Sequence, residues 1–171
     1  VKGVDEYSVP VLLLDTDVEE NMPGDRRLTD RLYGGDARVR LCQEAILGIG
    51  GVRLLRALGY SRIRRFHMNE GHASLLTLEL AQELALQHGT ALSAEFLTLI
   101  KPLCVFTTHT PVAAGHDQFA LALVNEVLTD YGPQLPGRIG PCCLDGTLNM
   151  PCLALASSHF INGVAKRHVE F

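Results

Sequence analysis

The apolar residues of this chain fall into short continuous runs that alternate with longer stretches of helical spacing. Val9 to Leu14 is one such run, rich in branched side chains. It predicts a buried parallel strand closed by Asp15, Thr16 and Asp17. Residues 18–26 are polar and include Asn21 and Pro23-Gly24, the chemistry of a surface loop, and a short helix is predicted over 26–33. Between 37 and 58, Cys42, Ala45, Ile46, Ile49 and Val52 line one stripe of an amphipathic helix. Gly48, Gly50 and Gly51 lie within that pattern, at a cost of about 1 kcal/mol each relative to alanine. Glycines retained at that cost point to close backbone approach, and tight helix-to-sheet packing is favoured over ligand contact.

Ile63 to Met68 predicts a second strand, and Asn69 suits the N-cap of a helix over 70–88. Leu75, Leu76, Leu80, Leu84 and Ala85 form its inner side, with Glu79, Gln82, Glu83 and Gln87 on the wet side. Ser93 can cap a helix running to Ile100, stopped by Pro102, and Leu103 to Thr107 is the third predicted strand. Residues 118–131 are expected to be helical and 132–147 a loop rich in Gly, Pro and Cys. Asn149 is expected to cap a helix over 150–160 with Pro151 in its first turn. Strands alternating with helices define an α/β fold with a parallel sheet and right-handed crossovers.

Composition narrows the partners. A chain of 171 residues suits one domain, and 47% hydrophobic residues argue against disorder. The net charge is −4 and the arginines are scattered, so nucleic acid is not an expected partner. Every apolar run is far shorter than the ~20 residues of a membrane span, and no signal segment opens the chain. The five cysteines include the adjacent pair Cys142-Cys143 and no Cys-x-x-Cys spacing, which fits reduced thiols in a cytoplasmic protein.

Two strand ends change character abruptly and are where chemistry is expected. In open α/β sheets, ligands bind beyond the carboxyl ends of the parallel strands. The first end is Phe66-His-Met-Asn-Glu-Gly-His72, where Asn69, Glu70 and His72 could bond hydroxyls in pairs against an apolar wall. The plainer account has Asn69 only capping a helix and His72 packing over its first turn. The second is Leu103-Cys-Val-Phe-Thr-Thr-His-Thr-Pro-Val-Ala-Ala-Gly-His-Asp117, with Thr107, Thr108, His109 and Thr110 at one strand exit. His67 with His72, and His109 with His116, lack the i, i+4 spacing of a helical metal pair. Ligand spacing gives no positive support to a zinc site joining both strand ends through Asp117 or Glu70, and no metal is expected. No Gly-x-Ser-x-Gly elbow or phosphate-binding Gly-rich loop occurs.

Both stretches resemble the α-glucan phosphorylases (glycogen, starch and maltodextrin phosphorylases), especially their shorter microbial branch. The resemblance extends to Val9-Pro-Val-Leu-Leu-Leu-Asp-Thr-Asp17, Leu32-Tyr-Gly-Gly-Asp36, Arg40-Leu-Cys-Gln-Glu44 with Leu47-Gly-Ile-Gly-Gly51, and Asn162-Gly-Val-Ala-Lys-Arg-His168. It implies that residues 1–171 are part of a Rossmann-like N-terminal domain of the two-domain GT-B architecture. Both ends would be truncated and the cofactor domain absent. His109 then stands against the glucosyl unit as a supporting residue of the active-site wall, binding its hydroxymethyl group. Asn69, Glu70, His72 and Thr110 join it as substrate-binding residues. Asp36 corresponds to a mobile gating loop, although Gly34-Gly35-Asp36 is equally ordinary turn chemistry. Val164 corresponds to a position against the same sugar, and His168 to a family histidine a turn further on. Val169 stands where glycine is common and Pro151 where threonine is.

The implied reaction releases glucose 1-phosphate from α-1,4-glucan or maltodextrin with inorganic phosphate. It uses pyridoxal phosphate in a full-length, allosteric, homo-oligomeric enzyme of the cytoplasm. Lys2, Lys101 and Lys166 are the lysines, and none lies in the family's cofactor motif. The chain alone is therefore expected to bind no cofactor and to be inactive. A GT-B glucosyltransferase using a nucleotide sugar, as glycogen synthases do, is the alternative enzyme. A non-catalytic glucan-binding module is the third reading.

Overall fold

The computed structural model describes residues 1–2, 8–32, 34–109, 116–131 and 142–164. They fall into two compact units, Val1–Leu32 and Tyr33–Phe171.

In the first unit the predicted strand at 9–14 does not form. The segment carries no regular secondary structure and is mostly exposed, with Leu13 at 87%. Val9 exchanges two backbone bonds with Val1, and Lys2 bridges Ser8. An apolar run becomes a buried strand only where neighbours supply ladder bonds and a covering surface. The order in this unit comes instead from a polar knot around buried Thr16. Its N–H donates to Thr29 Oγ1 (3.1 Å), its hydroxyl bonds the Arg26 carbonyl (3.2 Å), and Asn21 donates to its carbonyl (2.9 Å). The helix expected over 26–33 shrinks to a 3₁₀ turn at Asp25–Arg27, since Thr16 engages the Arg26 carbonyl.

The second unit holds the sheet and the core. The predicted helix over 37–58 is present as α1 (Ala37–Ala45), a π turn (Ile46–Gly50) and α2 (Gly51–Ala57). Its glycine explanation needs correcting. A Cβ on Gly48 would lie 2.7 Å from Leu76 N and 3.0 Å from Leu75 Cβ, so the close approach is to another helix and not to the sheet. Gly51 has open space around it.

β1 (Phe66–Asn69) leads through a 3₁₀ turn (Gly71–Ala73) into α3 (Leu76–Gln87), followed by α4 (Ala94–Ile100). β2 is Cys104–Thr108. β1 and β2 pair in parallel, with Phe66 opposite Cys104 and Asn69 opposite Thr107. The inner face carries buried Phe66, Met68, Cys104 and Phe106 against the helices. The outer face carries exposed His67, Asn69 and Phe160. Leu75, Leu76, Leu80 and Ala85 are buried as expected, but Glu79 is buried too. Arg53 Nε (2.8 Å) and the Tyr131 hydroxyl both donate to its carboxylate, which makes burial tolerable.

Three expectations fail towards the C-terminus. The segment 118–131 divides into β3 (Gln118–Ala120), α5 (Leu121–Val127) and a 3₁₀ turn (Thr129–Tyr131). The loop expected over 132–147 contains β4 (Cys143–Leu144) and the start of β5 (Thr147–Asn149), which build an antiparallel sheet in the order β3-β5-β4. The helix capped by Asn149 is α6, Met150–Ala156, with the Asn149 side chain accepting from Cys152 N (2.8 Å). It ends four residues early because Phe160–Gly163 is β6, which pairs in parallel with β2. β6, not Val9 to Leu14, is the third strand of the parallel sheet, whose order is β1-β2-β6.

Candidate functional site

Parallel pairing brings the ends of β1 and β2 side by side. Glu70 N donates to the Thr107 carbonyl (2.9 Å), extending the ladder one residue past Asn69. Glu70 then turns with φ +70° and ψ 172°, a region almost confined to glycine. Such a backbone costs on the order of 1–3 kcal/mol and persists where surrounding bonds over-determine it. Those bonds are visible. The Glu70 carboxylate accepts from Gly71 N (3.3 Å), from the Thr108 hydroxyl (3.4 Å) and from His109 N. Glu70, not Asn69, therefore caps the turn that follows.

Asn69 is free for another task. Its Oδ1 lies 2.6 Å from His109 Nε2, so the protonated form of that nitrogen donates to the amide. The two strand tips thus share one exposed, bonded surface of Asn69, Glu70, Thr108 and His109. Behind it, a polar row crosses the outer face. Thr107 Oγ1 donates to Asn162 Oδ1 (2.8 Å) and bonds His67 Nε2 (2.7 Å). Val164 reaches the same end of the sheet, its N–H donating to the Thr108 carbonyl (3.3 Å), with its side chain exposed.

The other sequence candidates separate. Asp36 is the N-cap of α1, its Oδ1 accepting from Val39 N (3.0 Å). Gly35 before it has φ +84°, as its turn requires. Thr110 and His168 lie outside the described residues. A cavity of about 290 Å³ beside the π turn is lined by residues such as Ile49, Arg53 and Tyr131, and by none of the predicted site residues.

His72 turns away to a second cluster. Its Nδ1 lies 2.9 Å from Asp117 Oδ2 and 3.7 Å from Glu44 Oε1, the latter too long for a hydrogen bond. Arg40 binds the other Asp117 oxygen. Asp117 is held by its carbonyl, which accepts from Met150 N (3.0 Å), at the entry to β3. Glu44 is 4% exposed and neither carboxylate oxygen has a hydrogen-bond partner. Burial pushes it up to about 7, the nearby Asp117 carboxylate adding to the effect and His72 opposing it. His72 is held above the usual imidazole range chiefly by Glu44, with Asp117 adding to it. Glu44 went unrecognised in the sequence as a functional position. It sits three residues after buried Leu41 and eight before buried Val52, so helical spacing alone could have placed a carboxyl on the inner stripe.

The chain thus has a parallel α/β sheet with polar groups gathered at its carboxyl edge, the place where open-sheet proteins bind ligands. No protein-family model matches the chain. Over 94% of its length it is 47% identical to the glycogen phosphorylase of Mycobacterium tuberculosis, covering 20% of that protein. It is 40% identical to the maltodextrin phosphorylase of Thermococcus litoralis, again over 94% of its length and 19% of the relative. The glycogen phosphorylase of Aquifex aeolicus is 32% identical over 98% of the chain and 25% of that protein. The chain is thus similar in sequence to glycogen and maltodextrin phosphorylases, and spans about a fifth of the length of the first two of these relatives.

Proposed function

We propose that this chain contributes part of the glucosyl-binding wall of an α-glucan phosphorylase. The complete enzyme would release glucose 1-phosphate from α-1,4-glucan or maltodextrin with inorganic phosphate. The observation carrying this reading is the bond between Asn69 and His109, two tips from separate strands, beside the strained and fully engaged Glu70.

In this reading Glu70 fixes the His109 backbone and Asn69 fixes its ring. With Nε2–H committed to Asn69, Nδ1 of the neutral ring is left to accept from a sugar hydroxyl, that of the hydroxymethyl group. Polar groups that need no reorganisation stabilise developing charge better than mobile ones. Asn69, Thr110 and Val164 bound the same sugar, and Asp36 belongs to a gating segment whose helix cap sets its root. Glu70 acts mainly as the strut. His72 serves the sugar only indirectly, since its ring is engaged by Asp117.

Pyridoxal phosphate is the cofactor the relatives suggest for the whole enzyme. Lys101, the lysine among the described residues of the second unit, stands at the N-terminal end of β2, opposite the polar tips. That placement does not fit a lysine anchor for the cofactor beside them, and no step proposed here passes through it. The same reading carries a cytoplasmic homo-oligomer without nucleic-acid or membrane partners. Among the described residues no helix is long and apolar enough to cross a membrane. The named relatives are phosphorylases, and no specific observation favours the nucleotide-sugar reading.

The test is His109→Ala in the complete enzyme. Loss of one preorganised polar group should lower kcat by about 10²–10³-fold with the melting temperature unchanged. A wild-type rate would remove His109 from the site.

A further inference from the structure

We propose that Glu44, His72 and Asp117 form a binding site for a divalent transition-metal ion, with zinc matching the donor set best. The three come from different elements: α1, the 3₁₀ turn after β1, and the entry to β3. Each presents one ligand atom, and these atoms all lie within 4.8 Å of one another. Zinc bound at about 2.0–2.2 Å holds its ligands roughly 3–3.5 Å apart. The contacts of 2.9 Å and 3.7 Å bracket that spacing, so an ion enters with small side-chain shifts.

The independent sign of a ligand is Glu44. It is buried, it faces His72, and both its oxygens lack hydrogen-bond partners. Buried polar groups are almost always satisfied, and each exception calls for an explanation. A proton on Glu44 would cap only one oxygen. A cation would give the Glu44 oxygen that faces His72 its missing partner and at the same time neutralise both carboxylates, which a single proton does not.

Asp117 is oriented for the task. Arg40 holds Oδ1 and leaves Oδ2 turned towards His72, the second-layer support that ligating carboxylates commonly have. One imidazole and two carboxylates suit zinc better than magnesium or calcium, which favour all-oxygen sets with more ligands. Three protein ligands leave a fourth position for water. Binding requires Nδ1 of His72 without its proton, so affinity should fall as pH is lowered.

The proposal does not depend on the glucan reading, and its test reads metal binding. Zinc is titrated calorimetrically into the complete protein after chelator treatment, under reducing conditions. One ion per chain is expected, with Glu44→Gln and Asp117→Asn each weakening binding at least tenfold. Cobalt substitution should give visible bands without thiolate-to-metal charge transfer. That separates this site from Cys142 and Cys152, whose sulfurs lie 2.9 Å apart. Thermal melts of both variants confirm that they fold, and either folded variant suffices. Absence of stoichiometric binding, unchanged affinity in a folded variant, or a thiolate band would overturn the assignment.

Discussion

Asn69 and His72 are three residues apart, yet they belong to regions that handle polarity in opposite ways. At the strand tips Asn69, Glu70, Thr108 and His109 are exposed or half-buried and already paired, as in the bond from His109 to Asn69. Water can replace any of these partners at little cost, and so can a sugar hydroxyl. In the neighbouring cluster Glu44 is buried with no hydrogen bond at all. There a missing partner has no substitute, and protonation or a cation must supply it. The first arrangement suits reversible recognition, the second a resident ion or proton. The strained backbone of Glu70 separates them, sending Asn69 outward and His72 inward.

The comparison breaks most sharply if His109→Ala leaves turnover intact, since the exposed region is then not a site. The expected loss of 10²–10³-fold corresponds to about 3–4 kcal/mol of transition-state stabilisation.

Next in size is the pH response of the buried cluster, measured in chelator so that metal is excluded. Burial pushes Glu44 up to about 7 in the folded chain from an ordinary 4.5, so the unfolded state binds fewer protons between those limits. Stability should therefore fall as pH rises from about 5 to about 8. The contribution is on the order of 2–3 kcal/mol, shared between the coupled Glu44 and His72 pair, with the Asp117 and Arg40 charges beside them. His72, also raised, acts in the same direction. Glu44→Gln should flatten that slope in urea unfolding. An equally steep slope in the variant would place the titration elsewhere.

Gly48→Ala should destabilise by about 1–3 kcal/mol, because its Cβ meets the α3 backbone at 2.7 Å and overpacking exceeds the gain in helix propensity. A more stable variant would mean the π turn and α3 separate easily. Glu70→Gly exchanges backbone relief for lost carboxylate bonds, two terms of similar size. Its net stability change should stay within about 1 kcal/mol, while turnover drops. Turnover unchanged would show that the strut is not needed.

Legibility followed the range of the interactions. The α1–α2 helix, α3, β1 and β2 could be read because their apolar spacing is long enough to show a period, and Asn149 could be read as a cap because capping is local. β6 could not, since Phe160–Gly163 is too short to carry a pattern and is ordered by pairing with β2. Val9 to Leu14 misled for the converse reason, having a strand's pattern without a strand's neighbours. At the site, Asn69, Glu70 and His109 were visible as polar tips on apolar runs. Their exchange of roles was not, because it depends on the φ of one residue.

The order of residues by itself determined the α/β class, the two polar tips and the kinship with phosphorylases. All three rest on local periodicity or on ordered motifs. Tertiary structure alone decided that His72 leaves its sequence neighbours for Glu44 and Asp117, which lie 28 and 45 positions away. The physical reason is that pairing energy between charged groups depends on distance and burial in space, and neither is written in separation along a chain.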